Sequence, residues 1–216
     1  MTSPRELEAK FEADDAAIKR LLALQRFGDF RLIEQDTNDQ DDLYYDTVAG
    51  RLRDAGASLR IRRKASGALM TFKGERQSVR GTGDHVVSRI EDEVELDAGL
   101  LSGLADNMPL VLSDDPQPLQ RGRSIAGGQE LIPTARLLTE RVVLLFVDPE
   151  GDRVELAIDR CRAVRLADQR TVVFAEVELE LKNGDVTALI AAVRALQVAL
   201  PGLTPSSMTK LQRALG

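Results

Sequence analysis

The residues of this chain that are best suited to chemistry are charged side chains that alternate with apolar ones. The first example is segment 6–11, ELEAKF, in which Glu6, Glu8 and Lys10 are each followed by an apolar residue. Successive side chains of a β-strand point to opposite faces, so this spacing directs two carboxylates and one ammonium group into the same space. For one such segment alone, a strand with a solvated face is the better interpretation.

The same alternation recurs in five later segments, each with an apolar side and an ionic side. The residues on the ionic sides are Ser58, Arg60 and Arg62, then Thr71 and Lys73, then Arg89, Glu91, Glu93 and Glu95, then Glu155, Ala157 and Asp159, and finally Glu176, Glu178, Glu180 and Lys182. Faces that were only solvated would contain more neutral polar residues. We therefore predict an α+β, mainly β fold: a closed antiparallel β-barrel, or tunnel, with a charged interior and helices packed on its outside.

Two segments depart from this alternation. In segment 89–96 the apolar side is interrupted by Asp92, and segment 141–147 is apolar on both sides except for Arg141. The pattern of the first segment leaves its register open, and the second is taken as a seventh strand-like segment.

Helical patterns lie between the predicted strands. Segment 16–25 follows two aspartates, segment 185–200 can be capped by Asp185 and is stopped by Pro201 and Gly202, and segment 206–215 is a short final helix that carries Lys210. Segment 113–128 is expected to form a long surface loop. No linker divides the chain convincingly, so residues 1–216 are expected to form a single domain.

Composition limits the class of protein. The net charge is −6 and the isoelectric point is about 5.0, which argues against a nucleic-acid partner. The longest apolar run is far too short for a membrane span. The one cysteine, Cys161, fits a reducing compartment, and between Arg160 and Arg162 it is interpreted as a passive strand-end residue rather than a low-pKa thiol. We expect a cytoplasmic protein with no membrane partner, and leave open whether it is a monomer or a homodimer.

The charges of the predicted interior indicate its ligands. Ten carboxylates face seven cations, and such crowded carboxylates repel one another unless a cation neutralises them. Oxygen-only clusters without His or Cys select Mg²⁺ or Mn²⁺. Arginine and lysine bind phosphate oxygens, so a chain of phosphates would contact both the basic set and the metal.

After the opening ELEAKF, the chain contains in order the motifs LYYDT (43–47), SLRIRR (58–63), TFKG (71–74), RIEDEVEL (89–96), ELAID (155–159), AEVELELKNG (175–184) and Met208-Thr209-Lys210. These ordered motifs resemble those of the CYTH domain superfamily, the triphosphate tunnel metalloenzymes, which include class IV adenylyl cyclases and thiamine triphosphatases. The resemblance covers nearly the whole chain. It implies an eight-stranded antiparallel tunnel, dependence on a divalent metal, and a small-molecule triphosphate substrate.

The resemblance also implies roles for individual residues. The implied metal ligands are Glu6, Glu8 and Glu178, with Asp159 and Glu176 at a second metal that could orient the attacking water. The implied phosphate-binding residues are Lys10, Arg60, Arg62, Lys73 and Arg141, with Lys182 and Lys210 as looser matches. The residues expected to act in catalysis are Lys10, Arg60, Arg62, Asp159 and Glu176. Glu93 is the first choice for a further inward acid, before Glu91 and Glu95, and Glu180 is a further candidate.

The predicted activity is metal-dependent hydrolysis of a triphosphate, with inorganic triphosphate as the leading substrate. Tryptophan is absent and the two tyrosines are adjacent, so no aromatic platform for a base is evident. A class IV-type cyclase and a nucleoside or thiamine triphosphatase are the alternatives within the family, and a non-catalytic polyphosphate- or nucleotide-binding module is the alternative outside enzymes. The single histidine, His85, is expected to be a solvated loop residue rather than a catalyst.

Overall fold

The computed structural model of the chain describes residues 5–64, 67–79, 86–97, 108–112 and 114–216. Its strands are β1 (Arg5–Glu12), β2 (Arg26–Phe27), β3 (Phe30–Asp46), β4 (Ser58–Lys64), β5 (Gly67–Lys73), β6 (Gln77–Ser78), β7 (Val86–Asp97), β8 (Ile132–Val147), β9 (Arg153–Arg165), β10 (Thr171–Asn183) and β11 (Thr204–Pro205). Its helices are α1 (Asp15–Leu22), α2 (Arg51–Asp54), α3 (Gln117–Ala126), α4 (Val186–Ala199) and α5 (Lys210–Leu215). The expectation for His85 falls outside the described residues.

Eight of these strands form an antiparallel ring in the order β1, β10, β9, β8, β3, β4, β5, β7. The ring closes because β1 pairs with β7 as well as with β10. In the β1–β10 pair, Glu8 lies opposite Glu180 and Lys10 lies opposite Glu178, so the ionic faces of the two strands adjoin. The predicted α+β, mainly β fold with eight antiparallel strands is confirmed.

The apolar sides of the strands form the outer layer of the ring and are covered by helices. Leu59 and Leu179 are completely buried, and neighbouring outward residues pack against α1 and α4 on one side and α2 and α3 on the other. Burial of a leucine side chain contributes roughly 1.5–3 kcal/mol, so this layer holds the ring in shape. The ionic sides are left to face the interior.

The helices begin where their caps predict. The Asp14 side chain accepts a hydrogen bond of 2.7 Å from the Ala17 amide at the start of α1, and the Asp185 side chain accepts one of 2.7 Å from the Thr187 amide at the start of α4. The described helices include none that is long and apolar enough to cross a membrane.

The segment that was expected to be a surface loop contains helix α3, so that prediction was wrong. The helix starts after Pro116 and ends at Gly127, whose φ of 60° gives the left-handed conformation typical of a helix terminus. Its Leu119 is fully buried, and its Arg121 forms an ion pair with Asp92. The interruption of the apolar side of β7 is thereby explained, because Asp92 faces outward to this helix.

Helix α5 does not pack on the outside of the ring, as all helices were expected to do. Its Leu211 and Ala214 pack against Tyr44, Leu137 and Ala163, which lie on the inner sides of β3, β8 and β9. Thr209 and Gln212 form a capping box at its start, which fixes the position of the first helical residue, Lys210. The helix therefore fills part of one end of the interior and places Lys210 against the carboxylates of Asp159, Glu176 and Glu178.

Candidate active site

The interior of the ring contains a cavity of about 280 Å³ that is lined mostly by charged side chains. The cationic residues along it are Lys10, Arg53, Arg60, Lys73, Arg89, Arg141, Lys182 and Lys210. The carboxylates along it are Glu6, Glu91, Glu93, Glu155, Glu178 and Glu180. Cations thus exceed carboxylates in the described lining, which suits a polyanionic ligand.

Two lysines lie at the centre of a buried carboxylate cluster. The Lys10 Nζ is 3.1 Å from Glu176 Oε1 and also contacts Glu178, while the Lys210 Nζ is 2.9 Å from Asp159 Oδ2, 3.0 Å from Glu176 Oε1 and 2.8 Å from Glu178 Oε1. Burial alone would lower the pKa of both lysines, but the adjacent carboxylates outweigh it and raise the pKa of each. The two ammonium groups therefore stay charged.

Arg141 binds the same cluster from β8. Its guanidinium group donates two hydrogen bonds of 2.7 Å to the Asp159 carboxylate and one of 2.8 Å to Glu178 Oε2. Burial would raise the pKa of Asp159, but Lys210 and Arg141 outweigh it and lower this pKa. Cations also hold the pKa of Glu178 well below its usual value, despite its burial. Both groups are therefore anionic near neutral pH.

A second cluster joins β1, β5 and β7. Arg89 Nε is 2.8 Å from Glu6 Oε2, and Arg89 Nη2 is 2.9 Å from Glu8 Oε1. Lys73 contacts Glu6 at 2.9 Å and Glu91 at 3.0 Å. Burial favours protonation of Glu6, but Lys73 and Arg89 lower its pKa far below the usual range. Glu91 shows the opposite result, because its burial outweighs Lys73 and raises its pKa.

Two arginines on the inner side of β4, Arg60 and Arg62, share one acidic partner, Asp42. Arg62 donates hydrogen bonds of 2.7 and 2.9 Å to both oxygens of this carboxylate, whereas Arg60 makes one contact of 3.2 Å. Arg60 lines the cavity beside Tyr44, but Arg62 is not among the described lining residues. The guanidinium group of Arg60 is therefore more available to a ligand than that of Arg62.

The remaining predicted residues lie farther along the interior. Lys182 Nζ is 2.9 Å from Glu180 Oε2, and burial raises the pKa of Glu180 to about 7 although Lys182 opposes the shift. Glu93 lines the cavity and accepts a 2.8 Å hydrogen bond from Thr71, whereas Glu95 is exposed and forms an ion pair with Lys64.

Cys161 is inert in this arrangement. It is buried beside Thr139, and burial raises the pKa of its thiol to about 11. It therefore remains a protonated thiol at neutral pH, as the passive interpretation of the sequence predicts.

The predicted site residues thus occupy one interior, but in two layers. Ten of them line the cavity: Glu6, Lys10, Arg60, Lys73, Glu93, Arg141, Glu178, Glu180, Lys182 and Lys210. The other four lie behind that layer: Glu8, Asp159 and Glu176 form ion pairs with lining residues, whereas Arg62 pairs with Asp42, which also binds the lining residue Arg60.

Sequence reasoning did not assign a role to Arg89 or Asp42. Arg89 occupies the ionic side of β7 and could have been found from its alternation with the acids of that strand. Asp42 precedes the LYYDT segment, and its buried pairing with Arg60 and Arg62 depends on the β3–β4 register. The pairing could not be deduced from the spacing within β3 alone.

The donor set fits a hard divalent cation in its chemistry. The nearby donors are carboxylate oxygens only, and Glu8 Oε1 is buried and accepts no well-oriented hydrogen bond although Arg89 lies 2.9 Å away. Within the described residues, however, no three acidic side chains converge as a ready metal site. Lysine and arginine compensate the carboxylates instead, so an incoming ion would compete with these ion pairs.

Comparison with known proteins identifies relatives of the fold. A proposed adenylyl cyclase from Hippeastrum with a dominant triphosphatase activity has a TM-score of 0.64 and 20% identity, with 96% of this chain and 95% of that chain covered. A proposed adenylate cyclase from Bacillus halodurans has a TM-score of 0.65 and 17% identity, with both chains fully covered. The RNA triphosphatase domain of a trifunctional mimivirus mRNA capping enzyme has a TM-score of 0.50 and 12% identity, with 90% and 87% covered. At these identities the likeness establishes the fold alone.

Sequence comparison identifies the family. No curated protein gives a significant match. The sequence profile of the CYTH domain matches residues 4–215, which is nearly the whole chain. The ordered motifs, the eight-stranded ring and this match agree, and the chain belongs to the CYTH domain family.

Proposed function

We propose that this protein hydrolyses a triphosphate inside the ring, with inorganic triphosphate as its preferred substrate. The observation that carries the proposal is the convergence of Lys10, Arg60, Lys73, Arg141 and Lys210 on one cavity of about 280 Å³. These cations come from four different strands and one helix, so their convergence is a property of the closed fold. A short polyphosphate is a ligand of matching charge, because each of its phosphates offers oxygens to lysine and arginine.

The side chains of the cavity would act by positioning and electrostatics. Phosphoryl transfer to water requires the chain of phosphates to be held in line and the charge on the transferring oxygens to be stabilised. Arg60 can bind with its guanidinium fork, and Lys10, Lys73 and Lys210 can bind as point charges. These groups are held by buried carboxylates, so they would need little reorganisation when charge develops.

We propose Mg²⁺ or Mn²⁺ as the cofactor, held by Glu6, Glu8 and Glu178, with Asp159 and Glu176 as candidates for a second ion. The chemistry that a divalent ion supplies when bound is neutralisation of phosphate charge and a lower pKa of a coordinated water. The carboxylates themselves supply anionic oxygens, and those of Glu8, Asp159 and Glu176 are buried. Glu180, with a pKa near 7, is a candidate acceptor for a proton released from attacking water.

The aromatic content of the cavity supports inorganic triphosphate over substrates with a base. Tyr44 is the one aromatic side chain among the described lining residues, and Tyr45 lies on the outer side of β3. A stacking pair for adenine or thiamine is therefore not formed by the described residues. Cyclase activity is a second candidate, favoured by the proposed cyclase activities of the Hippeastrum and Bacillus relatives. Nucleoside or thiamine triphosphatase activity is a further alternative.

A binding module without catalysis is the candidate from another class. A polyphosphate binder needs the cations, and Asp159 and Glu176 keep Lys210 charged in a binder as well as in an enzyme. Glu8 favours an enzyme, because its Oε1 is buried at a cost in desolvation and accepts no well-oriented hydrogen bond.

Initial rates of phosphate release separate these candidates. The panel is inorganic triphosphate, pyrophosphate, ATP, GTP and thiamine triphosphate, each with Mg²⁺ and with Mn²⁺, and cyclic nucleotide is measured in parallel. We expect the highest kcat/KM with inorganic triphosphate. Cyclic AMP as the main product from ATP would establish the cyclase instead, and tight binding without turnover would establish the module.

A further inference from the structure

A second chamber, of about 320 Å³, adjoins the phosphate cavity between β3, β8 and β9. The two spaces share Gln40, Arg141 and Glu155 in their linings, so these three side chains border both. The other residues that line the chamber are Glu34, Asp36, Asn38, Val143 and Leu145. A phosphate chain that occupied the cavity and continued past Arg141 along the inner side of β8 would enter this chamber.

The chamber differs from the cavity in its charge. Arg141 is the one cation in its described lining, and its guanidinium group is already bound by Asp159 and Glu178. Glu34 and Asp36 are exposed to solvent at the chamber and form no ion pair with any described residue. On this side the phosphate cavity thus adjoins a space where carboxylates outnumber cations.

The inner side of β8 changes from charged to apolar after Arg141. Arg141 is followed on that side by Val143 and Leu145, which explains why segment 141–147 is apolar on both faces. The outer face packs in the core through Leu144 and Phe146, whereas the inner face lines the chamber. Aliphatic side chains cannot hydrogen-bond to a phosphate, and they replace the cations found deeper in the ring.

We propose that this chamber sets the chain length of the substrate, with Glu34 and Asp36 as the residues that determine specificity. The inference rests on the proposed triphosphatase function. A triphosphate would be held entirely by the cations of the cavity. Each additional phosphate adds negative charge opposite the two carboxylates and loses solvation against Val143 and Leu145, so longer polyphosphates are rejected.

The test compares the parent with the double variant Glu34→Gln/Asp36→Asn. Asp39→Asn is the matched control, because Asp39 lies on the same strand, is exposed, and faces away from the chamber opposite Glu140. Calorimetric binding and kcat/KM are measured with inorganic triphosphate, linear tetraphosphate and a long-chain polyphosphate. The parent should prefer triphosphate. In the double variant the tetraphosphate-to-triphosphate ratio of kcat/KM should rise by about tenfold or more, a scale typical of charge-lined clefts.

Ionic strength provides a second readout. Added salt screens exposed carboxylates, so it should raise the same ratio in the parent and have less effect in the double variant. Asp39→Asn should keep the parental ratio. Equal use of triphosphate and tetraphosphate by the parent, or an unchanged ratio in the double variant, would overturn the inference.

The binding data separate failure of this inference from failure of the proposed function. If the parent binds triphosphate without hydrolysing it, and binds tetraphosphate well only after the two substitutions, chain-length selection by the chamber is supported and the triphosphatase proposal fails. If triphosphate is hydrolysed but the chain-length preference does not change when Glu34 and Asp36 are substituted, the triphosphatase proposal is supported and chain-length selection by the chamber fails. If triphosphate does not bind at all, both are overturned.

Discussion

Two glutamates on the same face of β10 are predicted to affect stability in opposite directions. Glu178 contacts three cations, Lys10, Lys210 and Arg141, and its pKa is held well below the usual value. Substitution by glutamine is nearly isosteric but leaves these buried cations undercompensated. Removing one partner of a buried ion pair costs about 3–5 kcal/mol, so Glu178→Gln should lower the free energy of unfolding by that amount in the absence of ligands.

Glu180, two residues further along, has the opposite electrostatic balance. Its pKa is raised from 4.5 to about 7, because burial outweighs its pairing with Lys182. The shift corresponds to at most about 3.4 kcal/mol for holding the charged form in the folded state, since one pKa unit is about 1.36 kcal/mol. The side chain is 26% exposed, so solvent screening reduces this value. We expect Glu180→Gln to raise the free energy of unfolding by about 1–2 kcal/mol at about pH 8.

The pH dependence gives the sign of each effect. The folded protein retains the Glu180 proton between pH 4.5 and about 7 while the unfolded chain has lost it, so the parent loses stability as pH rises through that window. The gain in Glu180→Gln should therefore be present at about pH 8 and vanish near pH 4. The Glu178 carboxylate stabilises the fold above pH 4.5, and its contribution disappears as pH falls through its lowered pKa. The loss in Glu178→Gln should therefore remain largely present at about pH 4 and shrink only in stronger acid.

Urea unfolding at about pH 4 and pH 8, without metal or phosphate, measures both variants. Changes of the same sign in the two variants at pH 8 would refute the reasoning. A stabilised Glu178→Gln protein would show that the carboxylates repel one another more than the cations hold them, as crowding of acids in the sequence alone would suggest.

The other predictions concern ligand binding and the outer layer. Arg60→Ala should lower kcat/KM by an amount that corresponds to a rise of about 2.7–4 kcal/mol in the activation free energy. Arg60→Lys should recover only part of this loss because lysine lacks the bidentate fork, and full recovery would exclude bidentate binding. Glu8→Gln should keep the fold by circular dichroism but lose most of the turnover and the response to Mn²⁺ titration; unchanged titration would exclude Glu8 as a ligand. Leu179→Ala should cost about 2–5 kcal/mol in stability while triphosphate still raises its melting temperature as in the parent; loss of that shift would show that the outer layer also forms the site.

The strands were predictable because their period of two leaves few alternatives. In residues 6–11 and 176–182 every second residue is charged and the residues between them are apolar. A shift of the strand pairing by one residue would bury all of these charges in the outer core. The closed ring could be inferred because so many ionic faces need a shared interior. The Glu91, Glu93 and Glu95 register became clear only from pairing with β5, which places Lys73 opposite Glu91 and Thr71 opposite Glu93.

The features that the sequence did not predict depend on contacts between residues that are far apart in the chain. Segment 113–128 has Pro116 and Gly127 at the ends of α3, but it contains few apolar residues and its packing against the ring is a tertiary effect. The position of α5 inside one end of the ring likewise depends on contacts with Tyr44 and Ala163, which are distant in sequence. The pairing of buried carboxylates with lysines or arginines of other elements also depends on contacts between residues that are distant in sequence.

The most direct test of the central claim is a ³¹P NMR time course of inorganic triphosphate with the parent protein and Mg²⁺ or Mn²⁺. Hydrolysis in the cavity predicts loss of the triphosphate signals with equal appearance of orthophosphate and pyrophosphate, abolished by chelation and strongly reduced in Arg60→Ala. Triphosphate signals that broaden or shift on binding but persist unchanged with both metals would contradict the claim that the charged interior is a triphosphatase site.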